Sequence, residues 1–187
     1  MAGEHETLLG MVAEHLERRG VPFALIGAAA LAIHGISRST LDLDLLVTDR
    51  RVLAATFWDA LPQTVSRDIR PGDRTDPLAG VIRFSAVGER DVDIVIGRGG
   101  WQTEVLERAE PTRRGERDLP TARAADLILL KLYAGGSQDR WDIEQLLAGT
   151  ERPALVEAVE RSLMQLPTDA QQLWWTLQGP AGGGATG

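Results

Sequence analysis

Two short stretches carry carboxylates at a spacing that matters. Asp42 and Asp44 alternate with Leu41, Leu43 and Leu45, and Asp91 and Asp93 alternate with Val92 and Ile94. In an extended strand, residues two apart point to the same face, so each stretch puts two negative charges side by side. Like charges that close are unfavourable unless a cation sits between them. Magnesium suits such a place, because a hard ion takes carboxylate oxygens and substrate phosphates together. If the two strands are neighbours, three carboxylates serve two metal ions, an arrangement suited to in-line phosphoryl transfer. Asp93 is favoured over Asp91 as the third acid, because the apolar run begins directly after it, as it does after Asp44. The plainer reading of both stretches is a half-exposed strand with a solvated outer face.

The order of elements bears on that choice. Phe23–Ile26 reads as a short apolar strand, and Gly27 then opens a small-residue helix over Ala28–His34, closed by Gly35. A glycine between strand and helix lets backbone approach a phosphate, and the helix start offers free N–H groups. Leu41–Val47 is the strand with the first acid pair. Val81–Val87 and Asp91–Ile96 read as two strands joined at Gly88-Glu89, a hairpin signal. Residues 6–19 are an amphipathic helix, 50–60 look helical, and 61–77 read as a polar loop with an irregular strand at most. A short helix is expected at 101–109, followed by an arginine-rich extended stretch at 111–120. Helices are expected at 122–134, 139–148, 153–165 and 168–178.

Gly27-Ala28, Asp42-Leu43-Asp44 and later Val92-Asp93-Ile94 together resemble the pattern of the polymerase-beta-like nucleotidyltransferase superfamily. The string Leu25–Gly35 with Arg38, Thr40, Asp42 and Asp44 is similar to minimal prokaryotic nucleotidyltransferases of the abortive-infection toxin type. Leu129-Leu130-Lys131-Leu132 followed by Asp139–Leu146 matches a downstream element of that group. The resemblance spans about residues 20–148. It implies an α/β (α+β) fold: a nucleotidyltransferase core with a mixed sheet, followed by a C-terminal helical segment. The expected domains are a core at 1–120, a helical bundle at 121–178 packing on it, and a disordered tail at 179–187.

The resemblance also implies roles. Asp42, Asp44 and Asp93 would hold two Mg²⁺ ions, with Asp93 helping to deprotonate the acceptor. Gly27, Ala28, Arg38, Thr40, Lys131 and Asp142 would face the nucleotide, Lys131 at the triphosphate or the departing pyrophosphate. The donor is an NTP. The acceptor is a hydroxyl on a tRNA end, a protein or a small molecule, in a toxin–antitoxin or defence setting with a possible cognate partner protein. Ala28 departs from the pattern, which has Ser or Gly there, and leaves only backbone amides for a phosphate. That departure motivates the alternative, a weak or inactive relative that binds nucleotide or a partner protein.

Composition limits the rest. The chain has 187 residues with a net charge of −7, which excludes broad charge-driven nucleic-acid binding as its main activity but not a local basic patch. With no cysteine, disulfides, thiolate metal sites and thiol catalysis are excluded. No apolar run spans a membrane and the first residues do not read as a signal peptide, so the expected location is the cytoplasm. The 20 basic residues are 19 arginines and the single Lys131. On sequence alone, a lysine flanked by Ile128, Leu130 and Leu132 reads as one that snorkels to the surface. The resemblance instead gives it a place at the phosphates. Arg113, Arg114, Arg117 and Arg123 form the densest basic stretch, either a solvated loop or a guide for an RNA acceptor. Trp174 and Trp175 cannot both face one core.

Overall fold

The computed structural model describes residues 7–37, 43–115, 117–149 and 151–178. Arg38, Thr40, Asp42 and the expected tail at 179–187 lie outside these. The chain divides into two compact units, Met1–Ile33 with Ser37–Ala122 and His34–Ile36 with Arg123–Gly187.

The first unit is built on a seven-stranded mixed sheet. Its strands are β1 (Ala24–Ile26), β2 (Leu43–Val47), β3 (Ser66–Pro71), β4 (Gly80–Ser85), β5 (Val92–Ile96), β6 (Glu110–Arg114) and β7 (Arg117–Thr121), in the order β3-β4-β5-β2-β1-β7-β6. β2 pairs parallel with β5 and antiparallel with β1, while β4 and β5 form the antiparallel hairpin expected around Gly88. The three residues of β1 are buried, and so are Leu43, Leu45, Leu46 and Val47 of β2, as central strands require.

Helix α1 (Leu8–Arg18) starts where the Thr7 hydroxyl accepts from the Gly10 amide at 3.2 Å. It buries Leu8, Leu9, Val12, Ala13 and Leu16 at helical spacing. His15 is on the same face, against Phe57 and Trp58, and Trp58 meets Phe84 edge to face at 4.7 Å between ring centroids. The Trp58 indole N–H donates to the Val52 carbonyl at 2.7 Å, which satisfies its one polar atom in the core. Helix α2 (Gly27–Ile33) follows β1 directly, and α3 (Gly100–Arg108) follows β5.

Two stretches differ from expectation. Residues 50–60 form two single turns of 3₁₀-helix, Arg50–Leu53 and Ala55–Trp58, split by Ala54 in an extended conformation (φ −76°, ψ 124°). Burial of Val52, Phe57 and Trp58 sets this geometry, since a continuous α-helix would not turn all three inward. The polar stretch at 61–77 contains the regular strand β3. β3 lies at the sheet edge and is largely solvated on both faces, so it lacks the alternation that marks a half-buried strand. Pro71 ends it, a position an edge strand tolerates.

The second unit is helical: α4 (Ala124–Ala134), α5 (Ser137–Leu147), α6 (Arg152–Leu163) and α7 (Thr168–Gln178). α4 packs against the other three and buries Leu127, Ile128, Leu129 and Leu132. It stops at Gly135, whose φ of +70° gives the left-handed cap that favours glycine. Trp174 is fully buried while Trp175 is 55% exposed. Among the described residues no helix is long and apolar enough to cross a membrane.

Candidate functional site

In the first unit, the site follows from sheet register. Asp44 of β2 lies opposite Asp93 of β5 in the parallel pair, so the two carboxylates leave neighbouring strands on the same face. Asp91 lies before β5 begins. The row continues across the sheet. Ile26 of β1 is opposite Asp44, Arg83 of β4 is opposite Asp93, and Asp68 of β3 is opposite Arg83. One face therefore carries two acids, then an arginine, then a third acid. The opposite face carries the apolar core residues Leu45, Ile82, Phe84 and Ile94.

Gly27 stands beside this row. Its φ is +63°, and a Cβ built on it would run into the Asp44 carboxylate, 2.9 Å from the carboxylate carbon. Asp44 therefore occupies the place where any other residue at 27 would put a side chain. Only glycine satisfies both the backbone conformation and this close approach. Ala28 is buried and brings no hydroxyl, so at this turn the chain offers only backbone amides.

Asp93 accepts a two-pronged ion pair from Arg83, Nε to Oδ1 at 2.8 Å and Nη2 to Oδ2 at 2.6 Å. Sequence reasoning does not single out Arg83. Its signal is the hairpin itself: with the turn centred at Gly88, residues 83 and 93 fall opposite each other. Beyond Arg83, Asp68 accepts from Arg70 Nε at 2.8 Å. Asp68, Arg70, Val81 and Arg83 line a cavity of about 230 Å³ on the acid-bearing face.

The donor set fits magnesium in kind, since Asp44 and Asp93 are hard oxygen ligands on adjacent strands with no nitrogen or sulfur ligand interleaved. Among the described residues no three His, Cys, Asp or Glu side chains group closely enough to hold a metal. Asp42, the third expected ligand, lies outside them, as do Arg38 and Thr40.

Lys131 and Asp142 belong to the helical unit. Lys131 Nζ lies 2.7 Å from Asp142 Oδ2 and 2.9 Å from Asp139 Oδ1. The lysine side chain is 13% exposed and that of Asp142 is fully buried. Asp139 also accepts from the Gly136 amide at 3.1 Å with its other oxygen, which ties the start of α5 to the lysine of α4. Sequence reasoning pairs Lys131 with Asp142 and misses Asp139. The turn at Gly135-Gly136 brings Asp139 back towards α4.

No family model matches the chain, and no curated protein matches it. Solved structures do. The solution structure of the antibiotic-resistance factor ANT(2'')-Ia is similar at 15% identity and a TM-score of 0.51, over 87% of this chain and 94% of that one. The crystal structure of ANT(2'')-Ia in complex with adenylyl-2''-tobramycin matches at 13% identity and a TM-score of 0.51, over 82% of this chain and 95% of that one. JHP933 from Helicobacter pylori is 19% identical with a TM-score of 0.48, over 88% of this chain and 76% of that one. At these identities the likeness is one of fold, shared with ANT(2'')-Ia.

Proposed function

We propose that the chain is a nucleotidyltransferase that moves a nucleoside monophosphate from an NTP to a hydroxyl acceptor and releases pyrophosphate. The observation that carries this reading is the juxtaposition of Asp44 with Asp93 across the parallel β2–β5 pair, with Gly27 closed against the Asp44 carboxylate. A solvated outer strand face needs no such glycine.

The chemistry balances on these groups. The acceptor oxygen forms a bond to the α-phosphorus as the bond from that phosphorus to its bridging oxygen breaks. Both electrons of the broken bond leave with pyrophosphate, and the acceptor proton passes to the Asp93 carboxylate. Asp42, Asp44 and Asp93 would hold Mg²⁺, which when bound neutralises charge on the transferring phosphate. Backbone amides at Gly27 and Ala28 would face the donor phosphates. The resemblance gives Arg38 and Thr40 to the nucleotide and Lys131 to the triphosphate. Within its own unit, Lys131 also has the structural role its two ion pairs describe.

The structurally similar ANT(2'')-Ia was crystallised in complex with adenylyl-2''-tobramycin. That is in keeping with nucleotidyl transfer here, although the two chains share only 13% identity. A toxin–antitoxin or defence role stays part of the reading and is tested by growth on induced expression.

The experiment is label transfer. The protein is incubated with each α-labelled NTP, Mg²⁺ and a cell lysate, beside Asp44→Asn and Asp93→Asn controls. Transfer that both substitutions abolish supports the reading. Mg·NTP binding without transfer to any acceptor favours the inactive, nucleotide-binding alternative that the buried Ala28 motivates. Absence of both overturns nucleotide chemistry altogether.

A further inference from the structure

A second cavity of about 400 Å³ opens in the first unit, on a different wall from the acid row. Its basic lining comes from two hairpins: Arg90 beside the β4–β5 turn, and Arg114 and Arg117 on β6 and β7. The start of α1 and Leu43 of β2 complete it. The volume is that of a small-molecule site and exceeds what one bare phosphate needs.

The three arginines are not equivalent. Arg117 is already engaged, donating to Glu17 at 2.6 Å and to the Gly10 carbonyl at 3.2 Å. Glu89, also on the wall, has its carboxylate 3.5 Å from the Leu8 amide at the start of α1. Among the described residues, Arg90 and Arg114 make no ion pair. Burial, and then the charge of Arg90, hold Arg114 below the usual guanidinium range. Two guanidiniums facing one concave space repel each other unless an anion lies between them. Their planar forks suit phosphate oxygens in particular.

Leu43 fixes the relation of the cavity to the acids. Leu43 and Asp44 are consecutive in β2, so they point to opposite faces of the sheet. The cavity therefore opens at the same end of the sheet as the acids but behind them. A donor triphosphate beside Gly27 and Asp44 would lie on the other face of the sheet. A chain carrying repeated phosphates, with one end at the acids, would reach it past the first residues of β2 and β5, where Leu43 and Arg90 line the cavity. The apolar walls from Leu9, Leu43 and Leu119 leave room for a sugar or base between phosphate contacts.

We propose that this cavity holds the phosphate backbone of a single-stranded RNA acceptor, with Arg90 and Arg114 as its charged contacts. The inference rests on the nucleotidyl-transfer reading and names the acceptor class. It also agrees with the net charge of −7, because the footprint is local.

The test is fluorescence anisotropy with a labelled single-stranded RNA of about twelve nucleotides, within the usual range of single-strand sites. The variants are Arg90→Gln/Arg114→Gln and, as a charge control, Arg113→Gln. Arg113 is on the same hairpin, 3.6 Å from Asp118, and does not line the cavity. The double variant is expected to bind RNA about tenfold more weakly at low salt. Its log–log salt slope should flatten by about 0.7 for each phosphate that the protein no longer neutralises. Arg113→Gln should bind as the parent does, and all three proteins should keep Mg·ATP binding by calorimetry.

Equal RNA affinity in parent and double variant overturns the proposal, as does an equal loss in Arg113→Gln. Binding of inorganic phosphate but not of RNA by the parent also overturns it and leaves a free-anion site. Transfer of label to a protein acceptor, unaffected in the double variant, overturns the RNA assignment while the transferase reading stands. If no transfer occurs to any acceptor, the transferase reading itself falls, a result the binding data do not mimic.

Discussion

Substitution of the only lysine gives the sharpest separation between a structural and a catalytic reading. In the native protein, Lys131 Nζ bridges Asp142 at 2.7 Å and Asp139 at 2.9 Å, and the Asp142 side chain is fully buried. Lys131→Met keeps the apolar stem of the side chain and removes the ammonium. The buried Asp142 carboxylate then loses the Lys131 charge, and removing one partner of a buried pair costs about 3–5 kcal/mol. Asp139 is 23% exposed and regains hydration, so most of the cost falls on Asp142. For a chain of this size each kcal/mol shifts Tm by about 2–4 °C, so the expected drop is about 6–20 °C. Thermal unfolding followed by circular dichroism reads it directly. Adding Asp142→Asn to Lys131→Met removes the buried negative charge and should recover much of the loss, giving a large coupling energy in a double-mutant cycle. Lys131→Arg keeps the charge with a larger planar head, so it should unfold closer to the parent while transfer falls strongly. A Tm for Lys131→Met within about 2 °C of the parent would refute the structural argument, whatever happened to activity.

Other expectations follow from single geometries. Gly27→Ala places a methyl on a left-handed residue and against the Asp44 carboxylate. It should lose at least about 1–3 kcal/mol in urea unfolding from backbone strain alone, and lose transfer as Asp44 is displaced. Arg83→Gln removes a partly solvated ion pair, with the arginine side chain 57% exposed, so stability should change by no more than about 1 kcal/mol. If a metal ion takes the Asp93 oxygens that the guanidinium now holds, the magnesium concentration for half-maximal transfer should fall; an unchanged or higher value contradicts that competition. His15 is buried with Nε2 2.7 Å from the Phe57 carbonyl, and burial, then the nearby Arg19 and Arg18 charges, hold its pKa below 6.5. The folded state thus takes up the proton less readily than the unfolded chain, so the neutral ring contributes its stability above about pH 6.5 and loses it as pH falls below that. His15→Gln, which keeps an amide donor for Phe57, should flatten the fall in Tm between about pH 7 and pH 5.

What can be read in advance divides by how local each determinant is. The strand–glycine–helix–acidic-strand order is written in consecutive residues: apolar Phe23–Ile26, Gly27, small Ala28–Ala30, then alternating acids. The choice of Asp93 over Asp91 is also local, because the apolar run begins directly after Asp93, and β5 begins at Val92. β3 is hidden for the opposite reason. An edge strand solvated on both faces has no hydrophobic period to display, and its identity lies in its pairing with β4. The two 3₁₀ turns depend on which of Val52, Phe57 and Trp58 the sheet buries, a tertiary matter.

The site divides in the same way, and Arg83 makes the point. Its role lies in the register of a hairpin whose turn is recognisable from sequence but whose pairing is fixed only by the folded sheet. The turn at Gly88-Glu89 requires Val92 opposite Phe84 and Asp93 opposite Arg83. From Asp93 the parallel pairing fixes Asp44, and from Asp44 the close approach fixes Gly27. One register thus links four residues that are far apart in the chain, and a slip by one residue would turn Arg83 and Asp93 to opposite faces. The acid row is therefore a property of the sheet as a whole. Substitutions that loosen the β4–β5 hairpin far from any phosphate should degrade the site as surely as those that remove an acid.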